Sequence, residues 1–286
     1  VISVLQLGML DYATGLRLQQ KLIELRKENR IGDVLLLLQH TPVITLGRNA
    51  KAANILASAD ELARRGVEVF ECDRGGDVTF HGPGQLVGYP IFDLRSFPSS
   101  DSKRKTLGVI EYVRRVEEAL IRTCSDFGIP TQRVCGLTGV WTEGGIERIG
   151  NDGATGVPAR PTPASSGYEP AGCEPAKIAA IGVHVSRSVT SHGFALNVNT
   201  DLDYFNLIIP CGITSRPVTS MQKELGNPLS MREATNSIIQ NFGEVFQIQT
   251  LRVENLDSLL GNNIGIPMKL PAELRNLQRE EEIFRA

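Results

Sequence analysis

The chain reads as a protein of mixed helices and strands, on three observations. Helical and strand periods alternate through its first third. One long helical repeat, Thr106–Phe127, carries Leu107, Ile110, Val113, Leu120 and Ile121 and stops at Gly128-Ile129-Pro130. Strand-like segments then flank a Gly/Pro-rich stretch in the second half. With 286 residues, 41% hydrophobic and 22% charged, the composition is that of ordinary globular proteins and excludes disordered and fibrous classes. Thirty Lys+Arg against 32 Asp+Glu leave a net charge of −2, which supplies no global field for gripping nucleic acid. The longest wholly apolar run, Val34–Leu38, is far too short to span a membrane.

Asp11–Arg30 spaces Leu16, Leu22, Ile23 and Leu25 at helical intervals among Arg, Lys and Glu, as an amphipathic helix does. Val34–Gln39, bounded by Gly32-Asp33 and His40-Thr41-Pro42, suits a buried strand, and Val43–Leu46 a second one ending at Gly47. Ser58–Arg65 is a short helix closed by Gly66, with Val67–Phe70 a strand behind it. Leu86–Leu94 reads as a strand, but Gly88 and Pro90 inside it predict an edge or bulged position. Glu143–Pro175 is rich in Gly, Pro, Ala and Ser and predicts a long, mobile surface excursion at the tip of a hairpin, whose strands are Gly139–Thr142 and Lys177–Val185. Phe194–Val198 alternates as a further strand. Ser230 with Glu233 forms a capping box opening a helix through Ile238, Ile239, Phe242 and Val245. The tail from about residue 247 is not diagnostic, and within it Leu270–Ala286 reads as a charged helix with a weak core signal.

Five cysteines, Cys72, Cys124, Cys135, Cys173 and Cys211, form no CxxC pair, and an odd number cannot all pair within the chain. A reduced, intracellular thiol protein is expected. No basic stretch precedes VISVLQLGML, so neither a signal peptide nor a transit segment is expected, and the bacterial cytoplasm is preferred over an organelle.

Four segments carry chemistry. Arg74–Tyr89, RGGDVTFHGPGQLVGY, concentrates glycines around Arg74, Thr79, His81 and Gln85, allowing close backbone approach to a ligand. It is equally readable as a turn with a solvent-facing His, and it matches neither GxxxxGK[ST] nor a GxGxxG opening a helix. In PAKIAAIGVHV, Lys177 begins a strand of small and apolar residues. Such a lysine ordinarily snorkels to solvent, and otherwise is a partly buried amine able to act as a base. HGFALNVN covers His192–Asn199. In IIPCGI, Cys211 stands between Pro210 and Gly212, presented on a turn whose free N–H groups favour a thiolate and an oxyanion. A metal site is disfavoured, because His40, His81, His184 and His192 show neither HExxH nor Cys-pair spacing. No GxSxG elbow supports a serine hydrolase.

Taken together, RGGDVTFHGPGQLVGYP (Arg74–Pro90), GLTGVW (Gly136–Trp141), AKIAAIGVHVSRSVTSHGFALNVNTDL (Ala176–Leu202) and FNLIIPCGI (Phe205–Ile213) resemble, in order, the octanoyl-acyl carrier protein:protein octanoyltransferase (LipB) family. QHTPVITLGR at Gln39–Arg48 and the N-terminal helix also look like that family, while the 143–175 excursion replaces a shorter turn. The resemblance implies an α+β fold, a mixed sheet flanked by helices, shared with biotin and lipoate protein ligases and filling residues 1–286 as one domain.

It further implies transfer of an octanoyl group from octanoyl-acyl carrier protein to a lysine of lipoyl domains, early in protein lipoylation. The acceptors would be the E2 subunits of 2-oxoacid dehydrogenases and the glycine cleavage H protein. Cys211 would be the acyl-thioester nucleophile and Lys177 its base. The acyl slot is assigned to Arg74, Gly75, Gly76, Asp77, Val78, Thr79, Phe80, His81, Ala180, Ile181, Gly182, Gly193, Phe194 and Ala195. No metal, ATP or other cofactor is implied, nor any nucleic-acid or membrane partner. Arg48, Lys51 and Arg74, in or near the matched motifs, are the expected local cations for an acidic carrier protein. The rivals are an ATP-dependent ligase of the same fold, in which Cys211 has no role, and a non-catalytic acyl- or carrier-binding module.

Overall fold

The structure, a computed structural model, describes residues 1–143, 174–212, 216–256 and 258–259, and of Cys211 the backbone alone. In chain order the elements are β1 (Ile2–Leu10), α1 (Tyr12–Lys27), β2 (Asp33–His40), β3 (Val43–Leu46), α2 (Ala59–Arg64), β4 (Glu68–Glu71), β5 (Val78–His81) and β6 (Gln85–Ile91). They continue as α3 (Val109–Asp126), β7 (Thr131–Val134), β8 (Leu137–Thr142), β9 (Lys177–Ser186), β10 (Val189–Asn197), α4 (Met221–Leu225), α5 (Met231–Phe246) and β11 (Thr250–Val253). Two 3-10 turns, Leu202–Leu207 and Pro210–Gly212, lie between β10 and α4.

Eight strands form one sheet in the order β11-β1-β2-β6-β10-β9-β8-β7, and β4-β3-β5 form a smaller one. In the large sheet β1 runs parallel to β2 and β11, and the other pairs are antiparallel. The sheet is therefore mixed, with helices on both faces. β2 shows why its sequence is apolar almost throughout: Val34, Leu36 and Leu38 pack toward α1, and Leu35 and Leu37 toward α3 and α5. A strand covered on both faces has no polar side to alternate with.

α1 starts where the Asp11 carboxylate accepts the Thr14 N–H (2.7 Å), and it buries Leu18, Leu22 and Leu25. α5 starts where the Ser230 hydroxyl accepts the Glu233 N–H (3.4 Å), the capping residue read from sequence. Phe242 and Phe246 of α5 meet Phe92, Phe97 and Tyr112 in an aromatic cluster. A third cluster, with Ile44, Val78, Phe80, Leu207 and Ile208, lies under the small sheet.

Four strands escape the sequence reading. β1 is the N-terminal segment, β5 lies inside the glycine-rich loop, and β7 and β11 have four residues each. β6 is a correction. It is an interior strand between β2 and β10, not an edge, despite Pro90. The β10 ladder pairs with it only over Gln85–Gly88, and beyond that the Thr190 hydroxyl takes over. That hydroxyl donates to the Pro90 carbonyl (2.7 Å) and accepts the Phe92 N–H (2.9 Å). The irregularity a proline requires sits on the neighbouring strand.

The hairpin flanks β8 and β9 pair antiparallel, as expected. The tip they carry and the C-terminal helix expected over 270–286 lie outside the described residues. No described helix is long and apolar enough to cross a membrane.

Candidate active site

β5 pairs antiparallel with β3, and its residues alternate between two sides. Val78 and Phe80 turn into the third cluster, where Phe80 stacks on Tyr204 with ring centroids 4.7 Å apart. Thr79 and His81 turn the other way, into a cleft with about 490 Å³ of empty space, partly open to solvent. That cleft is lined by Arg74, Gly75, Gly76, Asp77, Thr79, His81, Ala180, Ile181, Gly182, Gly193, Phe194 and Ala195. Of the fourteen positions assigned to the acyl slot by resemblance, the fold brings these twelve together and sends Val78 and Phe80 elsewhere.

The wall formed by residues 74–76 lies directly on β9. The Gly75 N–H donates to the Val183 carbonyl (3.0 Å), and a Cβ on Gly182 would stand 2.7 Å from the Gly75 oxygen. Only glycine permits that approach. Arg74 is 7% exposed, and its guanidinium donates to the carbonyls of Thr45 (2.6 Å), Gly75 (3.1 Å) and Asp77 (2.6 Å) and to the Thr45 hydroxyl. A cation so engaged shapes the loop and is withdrawn from any acidic protein, which corrects its place among the docking cations. Arg48 and Lys51 are exposed.

At one end the cleft adjoins a second pocket, with which it shares Thr79, Ala180 and Ala195. Here lie Lys177, Gln85, Asn197, Phe205, Pro210 and Val218. Lys177 is 8% exposed, and its Nζ sits 4.9 Å from the centroid of the Trp141 ring. Its backbone is fixed on both sides: its N–H donates to the Pro217 carbonyl (2.8 Å), and its carbonyl accepts the Thr219 N–H (2.9 Å). Cys211 follows Pro210 in the 3-10 turn, so the fold brings the turn that carries it to the Lys177 pocket. That turn is braced from below. The Ile209 N–H donates to the Asn54 carbonyl (2.8 Å), and the Asn54 amide donates to Asp77 Oδ2 (2.6 Å). Asp77 thereby ties the glycine loop to the cysteine turn.

A chain of amides sets the state of His81. The Asn197 amide donates to the Thr219 carbonyl (3.0 Å), so its Oδ1 faces the Gln85 amide, 2.9 Å away. Gln85 Nε2 also donates to the Phe80 carbonyl (3.1 Å), which leaves Gln85 Oε1 to accept from His81 Nδ1 at 2.7 Å. Burial pushes His81 down to about 3, with nearby His40 adding to it. His81 is therefore neutral, protonated on Nδ1, with its Nε2 lone pair left free to accept. At the cleft's other end the His192 ring donates to Asp73 Oδ1 (2.7 Å). Burial lowers His192 and outweighs the carboxylate's upward pull.

His40, behind Tyr12 and Tyr89, is pushed by burial from 6.5 to about 4, against smaller upward pulls from the Leu10 carbonyl and Asp11. A base depressed in the fold stays neutral there while the unfolded chain takes up its proton. The stability from His40 is thus present in full above pH 6.5 and drains as the pH falls toward 4. At about 1.36 kcal/mol per unit, the loss at pH 5 is about 2 kcal/mol. Thermal melts of His40→Gln and the parent at pH 7 and pH 5 check this. The variant's deficit should shrink at pH 5, and a deficit independent of pH would count against a buried neutral His40.

Among the other cysteines, Cys124 is buried in the core, which drives its thiol up to about 12, and Cys72 donates to the Leu46 carbonyl (3.4 Å). Cys135 is exposed. Among the described residues no group of three or more His, Cys, Asp and Glu is arranged to hold a metal.

Sequence reading missed Tyr12, Val87 and Tyr89 as cleft residues and gave Trp141 no role. A strand period applied to QLVGYPI groups Gln85, Val87 and Tyr89 on one face and would have found two of them. Tyr12 has no local signal, because only the docking of α1 brings it to the cleft.

Residues 11–243 match the family described as the lipoyl protein ligase A/B catalytic domain. The octanoyltransferase of Koribacter versatilis is 56% identical over 281 residues, 98% of each chain. That of Acidobacterium capsulatum is 54% identical over 262 residues, 91% of this chain and 96% of the other. Among solved structures, one from the archaeal lipoylation system of Thermoplasma acidophilum, a bi-partite lipoate protein ligase and its E2 lipoyl domain, superposes with a TM-score of 0.61 at 16% identity. It covers 97% of this chain and 90% of that one. Lipoate-protein ligase A bound with ATP gives 0.60 at 16% identity, over 98% and 94% of the two chains. At such identity the two structures carry the fold alone. The cleft, the lysine pocket and the cysteine turn thus stand on a lipoate-ligase fold, and the sequence relatives place the chain in the lipoyl protein ligase A/B catalytic-domain family, among its octanoyltransferases.

Proposed function

We propose that this chain works as a single catalytic domain that moves an octanoyl group from octanoyl-acyl carrier protein to a lysine of lipoyl domains, through a thioester on Cys211. The observation that carries this reading is adjacency: across Thr79, Ala180 and Ala195 an apolar cleft adjoins the pocket that holds Lys177, which is edged by the turn bearing Cys211. The Cys211 thiolate attacks the donor carbonyl, a C–S bond forms, and the bond to the pantetheine sulfur breaks. The proton held at Lys177 goes to that departing thiolate. In the second half, the acceptor lysine's neutral amine attacks the acyl-enzyme, a C–N bond forms, and the Cys211 C–S bond breaks. Lys177 takes the proton the amine loses.

Exchange between two thioesters is nearly isoenergetic, and the donor arrives activated, so no ATP is consumed. The acceptors are lipoyl domains of 2-oxoacid dehydrogenase E2 subunits and the glycine cleavage H protein, and the setting is the bacterial cytoplasm. Incubation with octanoyl-acyl carrier protein and a lipoyl domain tests the reading. Octanoylated domain should form without nucleotide, and a dependence on ATP with pyrophosphate release would replace it with a ligase.

Arg48 and Lys51, exposed beside the cleft, are the cations for an acidic carrier protein. Their attraction is screened beyond about 10 Å at roughly 0.1 M salt, so KM for the carrier-linked donor should rise with salt. With a short octanoyl thioester as donor the effect should vanish. A carrier-linked rate flat across salt would remove these residues from docking.

A further inference from the structure

Glu117 is a fully buried carboxylate that no step above uses. It stands on α3, one helix behind the lysine pocket. Its Oε2 takes hydrogen bonds from Arg114 (2.7 Å) and Arg133 (3.1 Å), and its Oε1 accepts the backbone N–H of Gly139 at 3.2 Å. Two partly exposed arginines would hold this carboxylate equally well nearer the surface. Its reach inward to a strand amide requires another explanation.

Gly139 supplies it. Its φ is +122°, a conformation that residues with side chains rarely adopt, and it directly precedes the point where the β8–β9 register shifts, between Val140 and Trp141. A Cβ there would stand 3.0 Å from Lys177 Cε and 2.6 Å from the Ala179 carbonyl. The irregularity therefore makes the space that the lysine stem occupies. The same shift brings Trp141 opposite Lys177, with its ring against the amine.

We propose that Glu117 is the positioning residue for Lys177. By holding the Gly139 amide, its carboxylate keeps the β8 irregularity in place, and with it the groove and the indole face that aim the amine at the Cys211 turn. This rests on the catalytic role given to Lys177 above. A misplacement of about 1 Å at a reacting group costs about a hundredfold in rate, so a hydrogen bond this far from the chemistry is enough to matter.

The test combines Glu117→Leu, which removes the acceptor, with Glu117→Gln, which keeps an oxygen for Gly139. Gly139→Ala keeps Glu117 and puts a Cβ 3.0 Å from Lys177 Cε and 2.6 Å from the Ala179 carbonyl, so it fills the groove from the strand side. Rates are read on protein shown folded by its melting transition. Glu117→Leu and Gly139→Ala should each lower kcat for transfer by about tenfold to a hundredfold, with little change in KM for the lipoyl domain. Glu117→Gln should recover most of the loss.

A cycle with Lys177→Ala then separates positioning from general support, using formation of the acyl-enzyme, where residual rates are measurable. If Glu117 acts through Lys177, adding Glu117→Leu to Lys177→Ala costs nothing further. Equal losses in both backgrounds, or a folded Glu117→Leu and Gly139→Ala with parental kcat, overturn the inference. If Glu117→Leu does not fold, Glu117→Asp, which draws the carboxylate back from the Gly139 amide, takes its place in the cycle. Parental turnover of Lys177→Ala would instead overturn the role of the lysine itself, a distinct outcome.

Discussion

Cys211→Ala is expected to abolish octanoyl transfer, with turnover falling by about a thousandfold or more, the scale seen when a covalent enzyme loses its nucleophile. The expectation is specific to this cysteine. Cys124 is sealed in the core with its thiol driven up to about 12, and Cys72 is half-buried against a carbonyl. Cys211 is carried on the turn whose Pro210 edges the lysine pocket, whereas Cys135 is exposed between β7 and β8, away from it in the chain. Intact-protein mass after incubation with octanoyl-acyl carrier protein should rise by one octanoyl group, and peptide mapping should place it on Cys211. Cys211→Ser should give either no adduct or an oxygen ester that passes its acyl group on slowly, since an ester is a poorer acyl donor to an amine than a thioester. An adduct mapped to Cys135 or Cys173 with Cys211 free would sink the mechanism. Full activity of Cys211→Ser would point to a ligase, and unchanged binding by Cys211→Ser with no adduct on the parent would point to a binding module.

Substitution of Lys177 should separate charge from proton transfer. A cysteine with an ordinary pKa of about 8.5 is only slightly ionised at neutral pH, so an ammonium beside it favours the thiolate. In the proposed mechanism the lysine must both accept and return a proton, whichever of the two groups holds it at rest. Arginine keeps the charge but does not deprotonate at working pH. Lys177→Arg is thus expected to be nearly as damaging as Lys177→Ala in transfer to the acceptor lysine, a loss of about a hundredfold or more. Acylation of Cys211 should suffer less, because there a positive field supplies part of the effect. Single-turnover measurements of the two half-reactions distinguish the roles. Parental rates for Lys177→Ala in both would transfer the search to His81, which lines the cleft with its Nδ1 held by Gln85.

Much of this was legible from local pattern. The capping box at Ser230, the apolar period of α3 and the unbroken apolar run of β2 each report on neighbours three, four or two residues away. Those are the distances over which helix and strand geometry acts. The ordered motifs placed the glycine loop, Lys177 and Cys211 in one family, and the fold gathers the loop, the lysine and the cysteine turn around adjoining pockets. Four-residue strands such as β7 and β11 were not legible, because so short a segment owes its conformation to the partner it pairs with.

The sequence by itself determined α1, α2, α3 and α5, the identity of the chemical groups and their order along the chain, since all of these are properties of residues or of short windows. Only the tertiary structure decided which of those groups face one another. Val78 and Phe80 belong to a core and Thr79 and His81 to the cleft because β5 pairs with β3, a fact that VTFH alone does not contain. Arg74 is a brace and not a docking cation because four backbone and hydroxyl oxygens from β3 and the glycine loop converge on it. Pro90 sits inside a sheet because Thr190, 100 positions away, satisfies the groups beside it. Tyr12, Trp141 and Glu117 reach the site from a helix, a hairpin and a buried turn of α3. Their positions follow from burial and pairing across long sequence separations, where no periodicity in the sequence extends.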